Sequence, residues 1–198
     1  MSLDSGNGSS GELLSGEIFS HDEHVRRNIS LEKLAELPAA FRRKGTVTAG
    51  NASLPCDGAG VVLVASAKSV ETEKWNPLAR IVGYVSMMTE PQDTFAAGIP
   101  AIEKCLAACR LSISDIDLFE ISESFAAQAI LTRDKLAIPS EKINIHGGDL
   151  ALGHPLGFAG ARILITLLHA LKNHNQKRGL ACICFGGGGA IAMVVENE

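Results

Sequence analysis

Short apolar runs and helix-period segments take turns along most of this chain. "VVLVASA" at 61–67 reads as a buried strand, being a continuous, β-branched run bounded by turn residues. A helix around 67–74 follows, then a strand "RIVGYVSM" at 80–87 and a helix "AGIPAIEKCLAACRL" at 97–111. A strand "IDLFEIS" at 116–122 leads to a helix from about 124 to 136, a long glycine-bearing loop, and a helix from about 155 to 172. The last of these is apolar almost all round, which places it in the interior between layers. The chain closes on a hairpin, "LACICFGGGGAIAMVVE" at 180–196, two apolar strands around four glycines. Earlier, "SLEKLAELPAAF" at 30–41 has a capping serine, Glu32 in the first turn and a proline at 38, which suits a short helix. Strands alternating with helices imply a layered α/β domain with both sheet faces covered.

Composition narrows the picture. With 198 residues, 46% of them hydrophobic, the chain is long enough for a substantial core. A net charge of −4 without a basic cluster gives no reason to expect nucleic acid or an anionic membrane as partner. The most apolar run, "ILITLLHAL" at 163–171, is too short for a membrane span. Five cysteines, at 56, 105, 109, 182 and 184, form no zinc-type pairs, so a reducing, cytoplasmic setting is expected and a structural metal is not. Residues 1–20 are Gly/Ser-rich and read as a flexible tag or cut end.

Two places carry candidate chemistry. "GGDLALGHPLGFAGARI" at 147–163 sets five glycines around a His-Pro pair. Pro155 is suited to the first position of a helix, which would put His154 at the helix N-terminus, where the macrodipole disfavours imidazolium and leaves a neutral base. A lone histidine beside a helix is more often a cap, but the surrounding glycines suggest close backbone approach to another segment or a ligand. Cys184 precedes Gly186 to Gly189, whose amides can form an anion-binding nest, and a thiol there can carry a lowered pKa. Cys182 shares its strand face, so pattern alone leaves either thiol reactive. Cys105 and Cys109, one helical turn apart, read as core packing.

"GTVTAGNAS", "EISESFAAQ", "GGDLALGHPLGFAGARI" and "CFGGGGAIAMVVE" together resemble, in order and spacing, the C-terminal part of thiolases, over residues from about 20 to the end. The resemblance implies one βαβαβαββ half of a two-fold repeated fold, with 21–60 a remnant of the loop domain and CoA-binding loop and 61–198 the C-terminal domain. It implies acyl transfer between CoA thioesters, by Claisen condensation or thiolytic cleavage of a 3-ketoacyl-CoA. CoA thioester serves as substrate, and no cofactor or metal is called for. By the same resemblance His154 activates a nucleophilic cysteine and binds a thioester oxygen. Cys184 moves a proton to or from the α-carbon, and the Gly186 amide belongs to an oxyanion hole. Leu37, Phe41, Ala49 and Ser53 match positions lining the CoA channel, and Phe125 borders the site.

The sequence departs from the family in four places. The usual "NEAF" reads "SESF", putting Ser122 where an asparagine orients a water; Leu54, Pro55 and Cys56 replace "GIN"; and His146 and Asp149 are unusual beside the glycine pair. The family's nucleophile lies in an N-terminal half of which this chain has no counterpart, so the chain by itself is expected to be inactive, and to associate with copies of itself as a homo-oligomer. The competing expectation is a non-catalytic CoA-binding or scaffold module. A β-ketoacyl synthase relative fits less well, because His146 and His169 lack that family's motif context.

Overall fold

The computed structural model describes residues 11–12, 18–22 and 24–197, so the reading of 1–20 as a tag or cut end falls mostly outside the described residues. Two short strands, β1 (Gly11–Glu12) and β2 (Ile18–Phe19), pair antiparallel. Helix α1 (Leu31–Ala35) starts where expected: Ser30 is extended and its hydroxyl accepts the Lys33 N–H at 3.3 Å, satisfying one orphan donor of the first turn. Helix α2 (Ala67–Glu73) is capped in the same way by Ser66.

The body of the fold is a four-stranded sheet of β3 (Ala79–Met88), β4 (Leu118–Ile121), β5 (Arg178–Phe185) and β6 (Gly189–Asn197), in the order β3-β6-β5-β4. Strands β3/β6 and β6/β5 run antiparallel, while β5/β4 run parallel. A parallel pair needs a crossover, and here it contains α4 (Ala126–Leu136), the four-residue α5 (Asp149–Leu152) and α6 (Ala159–Asn173).

Strand alternation sorts the side chains into two cores. Leu180, Cys182, Ala190, Ala192, Val194, Phe119 and Ile121 face α3 (Gly98–Cys109), which contributes Ala101, Ile102, Cys105 and Leu106. Leu118, Ala181 and Val195 face the other way, against Ile163, Leu167, Ala170 and Leu171 of α6. Helices therefore lie on both faces of the sheet, as the alternation of elements implied. Gly179 lets β5 approach α6: a Cβ there would lie 2.7 Å from Leu167 Cδ1.

Three expectations are corrected. "VVLVASA" at 61–67 is neither buried nor a strand: its first residues have no ladder partner among the described residues, and Val61 is 93% exposed. An extended apolar run becomes a strand only where a neighbour satisfies its backbone, and no described strand reaches it. The helix expected from 155 begins instead at Ala159, after a turn at 156–158. Pro155 is buried ahead of that turn, so His154 stands in a bridge with Pro55 rather than at a helix terminus, and the macrodipole argument for its neutrality falls. Helix α6 itself buries one face only. Gly160 and His169 are exposed and Leu164, Ile165 and Leu168 half-buried, so it is not enclosed between layers among the described residues.

Candidate active site

The site forms where three loops are stitched together. The first follows β4 and carries Ser122, Glu123, Ser124 and Phe125. The second, between α5 and α6, carries His154. The third is the stretch 51–56, which binds both others through its backbone. Ser53 N–H donates to the Ser124 carbonyl at 3.0 Å, Ala126 N–H to Asn51 O at 2.9 Å, and Ala52 bridges Phe125. At the other end His154 N–H donates to Leu54 O at 2.8 Å and Cys56 N–H to His154 O at 3.4 Å. Gly153 permits this approach: its φ is +89°, and a Cβ would sit 2.7 Å from Cys56 Sγ.

Ser122 is buried, and its hydroxyl oxygen accepts two hydrogen bonds, from the Cys184 N–H at 3.1 Å and from Gln128 Nε2 at 3.1 Å. Its own N–H donates to Cys182 O at 2.9 Å. The serine thus locks the end of β5 to the β4 loop, with only its hydroxyl proton left to offer.

Cys184 lies on the α3 face of β5, next to the first residue of that helix: a Cβ on Gly98 would lie 3.2 Å from Cys184 Sγ. Burial pushes the Cys184 thiol up, offset in part by the Gly98 backbone and the Gln128 side chain. The lowered pKa expected from the glycine nest is therefore corrected, since desolvation outweighs the local donors. At neutral pH the group is a thiol, suited to delivering a proton. Cys182 is almost fully enclosed and burial drives it well above the ordinary thiol range, which removes it as a reactive candidate. Cys105 is pushed up to about 11, by burial first and then by Cys109, in keeping with its place in the core.

After Cys184 the hairpin turns through Gly186, which is exposed with open space where a side chain would be, then through Gly187 and Gly188 at positive φ. A Cβ on Gly188 would run into the Thr89 carbonyl, while Thr89 N–H and Oγ1–H both bond the Gly188 carbonyl, at 2.8 and 3.0 Å. The turn is held rigidly, with the Gly186 end left free.

An apolar cavity of about 390 Å³ opens beside these residues, lined by Phe41, Val47, Phe95, Phe125, Ala127, Gln128 and Leu131. Phe125 is its centre, with edge contacts to Phe95 at 4.9 Å and to Phe41 at 5.9 Å between ring centroids. Gln128 joins the cavity to Ser122 and so to Cys184. Of the CoA-channel candidates, Phe41 and Phe125 line this cavity. Ser53 is bonded to the Phe125 loop, and Leu37 packs over Gly50, next to the exposed Ala49.

Several residues at the site escaped the sequence reading. Asn144, at φ +46°, fills the space under the β4 loop. Its side chain accepts from Ile121 N–H at 2.8 Å and donates to Ile121 O at 2.9 Å and Glu123 Oε1 at 2.7 Å. A left-handed asparagine in a loop was the signal available. Asp149, noted only as unusual, is fully buried. It accepts from Glu123 N–H at 2.7 Å and Arg162 Nη2 at 2.7 Å, and lies 3.3 Å from His154 Nδ1. Glu120, on the α6 side of β4, is 1% exposed with Oε2 unpartnered, and burial pushes its carboxyl up to about 8 against the pull of Arg162.

The mixed sheet with helices on both faces carries a GHP histidine loop and a cysteine before a glycine hairpin, and the comparisons name the family. Residues 75–197 match the model of the thiolase C-terminal domain and residues 7–68 that of the thiolase N-terminal domain; the chain belongs to the thiolase family. It is 47% identical over 180 residues to a Staphylococcus aureus protein named "Probable acetyl-CoA acyltransferase", covering 91% of this chain and 46% of that one. Among solved structures, human mitochondrial 3-ketoacyl-CoA thiolase superposes with a TM-score of 0.88 at 40% identity, over 94% of this chain and 48% of that one. The same human enzyme in complex with CoA gives 0.87 at 41% identity, over 92% and 46%. Bacillus anthracis acetyl-CoA acetyltransferase gives 0.89 at 42% identity, over 95% and 48%. The chain thus spans about half the length of the relatives it matches. Among the described residues no helix is long and apolar enough to cross a membrane.

Proposed function

We propose that this chain supplies the C-terminal half of a thiolase active site, acting on acyl-CoA thioesters as acetyl-CoA acyltransferases do. The observation that carries the reading is the linkage of the three motifs. Ser122 Oγ accepts from Cys184 N–H, and Asp149 spans from the Ser122–Glu123 loop to His154. In the cleavage direction a thiolate from the other half attacks the 3-keto carbon, and His154 takes the proton of that nucleophile. The Cα–Cβ bond breaks with its electron pair on the α-carbon, and the protonated Cys184 delivers its proton there. Gly186 N–H and the Ser122 hydroxyl are the donors for thioester oxygens. Phe41 and Phe125 bound the apolar channel for the pantetheine or acyl chain, with Leu37, Ala49 and Ser53 along it. Free CoA then gives its thiol proton to the Cys184 thiolate, its sulfur takes the acyl group from the nucleophile, and His154 returns the proton that nucleophile had lost; the reading needs a CoA thioester and CoA as substrates.

The exposed run from Val61 and the open face of α6 are where the other half of the fold would dock. In its absence the same faces would pair copies of this chain into a homo-oligomer. Five unpaired thiols fit a reducing compartment such as the cytoplasm. A second reading, a non-catalytic CoA-binding module, is favoured by the cavity, which this chain forms alone. The deciding measurement is loss of acetoacetyl-CoA in the presence of CoA, with the purified chain and its His154→Ala variant. No turnover by either is expected. Turnover abolished by the substitution would overturn the half-site reading, because the chain would then hold its own nucleophile.

A further inference from the structure

Asp149 is a costly residue to keep where it is. Its carboxylate is fully enclosed, and a buried charge persists only where charged or polar partners replace water. Two partners are plain: Arg162 Nη2 at 2.7 Å from Oδ1, and the Glu123 N–H at 2.7 Å from Oδ2. The third neighbour is the His154 ring, with Nδ1 at 3.3 Å from the same Oδ2. That nitrogen is itself buried and has no other partner, and the contact lacks the alignment of a finished hydrogen bond. Contacts of this kind in a site without its substrate are often long and tighten on binding.

We propose that Asp149 is a positioning residue for His154, its carboxylate accepting from the ring's Nδ1–H so that Nε2 is the nitrogen left to exchange a proton with the reacting groups. The argument is one of donors and acceptors. Oδ1 faces the guanidinium and Oδ2 faces a backbone N–H, so the carboxylate meets donors on both sides and presents Nδ1 with an acceptor. A bare Nδ1 would set lone pair against lone pair at 3.3 Å; a protonated one gains a charge-assisted bond. Free histidine favours the opposite tautomer, with the proton on Nε2, so the effect is not a default of the ring. Asp149 also couples the two loops: one oxygen fixes both the backbone after Ser122 and the histidine ring. Arg162, on the first turns of α6, steadies the carboxylate from behind and retains two buried nitrogens without partners.

The proposal concerns the histidine that the thiolase reading makes a base, but its test needs no turnover. The 198-residue chain, labelled with 15N-histidine, shows which ring nitrogen carries the proton in a two-bond 1H–15N correlation spectrum, with His154→Gln to assign the signals. The expected result is His154 Nδ1 in the protonated range and Nε2 in the bare range. In Asp149→Ala, which removes the acceptor, the two resonances should exchange ranges for most of the population. A wild-type ring protonated on Nε2 overturns the proposal outright, even if the variant fails to fold. So does a folded Asp149→Ala chain with an unchanged His154 spectrum. Either result leaves the half-site reading standing, since that is decided by thiolysis.

Discussion

Val194 and Val195 in β6 are 0% and 2% exposed, whereas Val61, Leu63 and Val64 stand 93%, 77% and 70% exposed. Both runs are short, β-branched and bounded by turn residues, and each by itself reads as a buried strand. What separates them is the neighbour. Strand β6 is paired along both edges, to β3 and β5, with α3 on one side and α6 on the other. The run from Val61 leaves the 51–56 stretch across Phe158, which Gly60 approaches too closely for a side chain, and then meets no strand among the described residues. The family models divide the chain at the same place, with residues 7–68, which include that run, matching the N-terminal domain model and 75–197 the C-terminal one.

The largest effect that sharpens this contrast is expected in the sheet. Leu167 is fully buried on α6 against Gly179, so Leu167→Ala should lower unfolding free energy by about 3 kcal/mol in a urea titration. A loss under about 1 kcal/mol would mean that the α6 face is loosely packed and that the two regions differ less than the structure indicates.

The next concerns Glu120. Its folded carboxyl is raised to about 8 by burial, against 4.5 ordinarily, so across that window the folded chain binds more protons than the unfolded one. Stability from this group is full below pH 4.5 and falls as pH rises towards 8. Glu120→Gln should remove that slope and leave the variant more stable than the parent chain at alkaline pH, measured by denaturant titration at several pH values. Parallel pH profiles for the two proteins would show that the carboxyl is not desolvated.

The smallest effect is the sharpest contrast. Leu63→Ser should change stability by no more than about 0.5 kcal/mol, because almost no apolar area leaves contact. The same substitution should reduce self-association in sedimentation. Backbone amides at 61–64 should exchange with solvent far faster than those of β5. Slow exchange at 61–64 together with a large loss of stability would show that the run is paired after all.

Much of the architecture was legible because strand and helix periods are local. The elements around β3, α3, β4, α4 and the final hairpin fall within a few residues of where their patterns put them. The start of α6 was not legible. Pro155 suits a helix start, but it is buried beneath Gly58, and the chain spends three more residues turning before helical bonds begin. At the site, His154, Cys184, Ser122 and Phe125 could be picked out by motif, and the structure ties them into one network with the cavity. The direction of the Cys184 shift could not be read, because glycine amides are visible in sequence while the burial that outweighs them is not.

The sequence by itself determined the order of the elements from β3 onwards, the helix cap at Ser30, and the residue types able to move a proton. These depend on neighbours within a turn or two of chain. Only the tertiary structure decided that Ser122 bonds Cys184 across 62 residues, that Asp149 stands against His154, that Glu120 is buried without a partner for Oε2, and that the run from Val61 is open. Each depends on which distant segment occupies the adjoining space, and burial, pairing and proton position are properties of that space rather than of the residue.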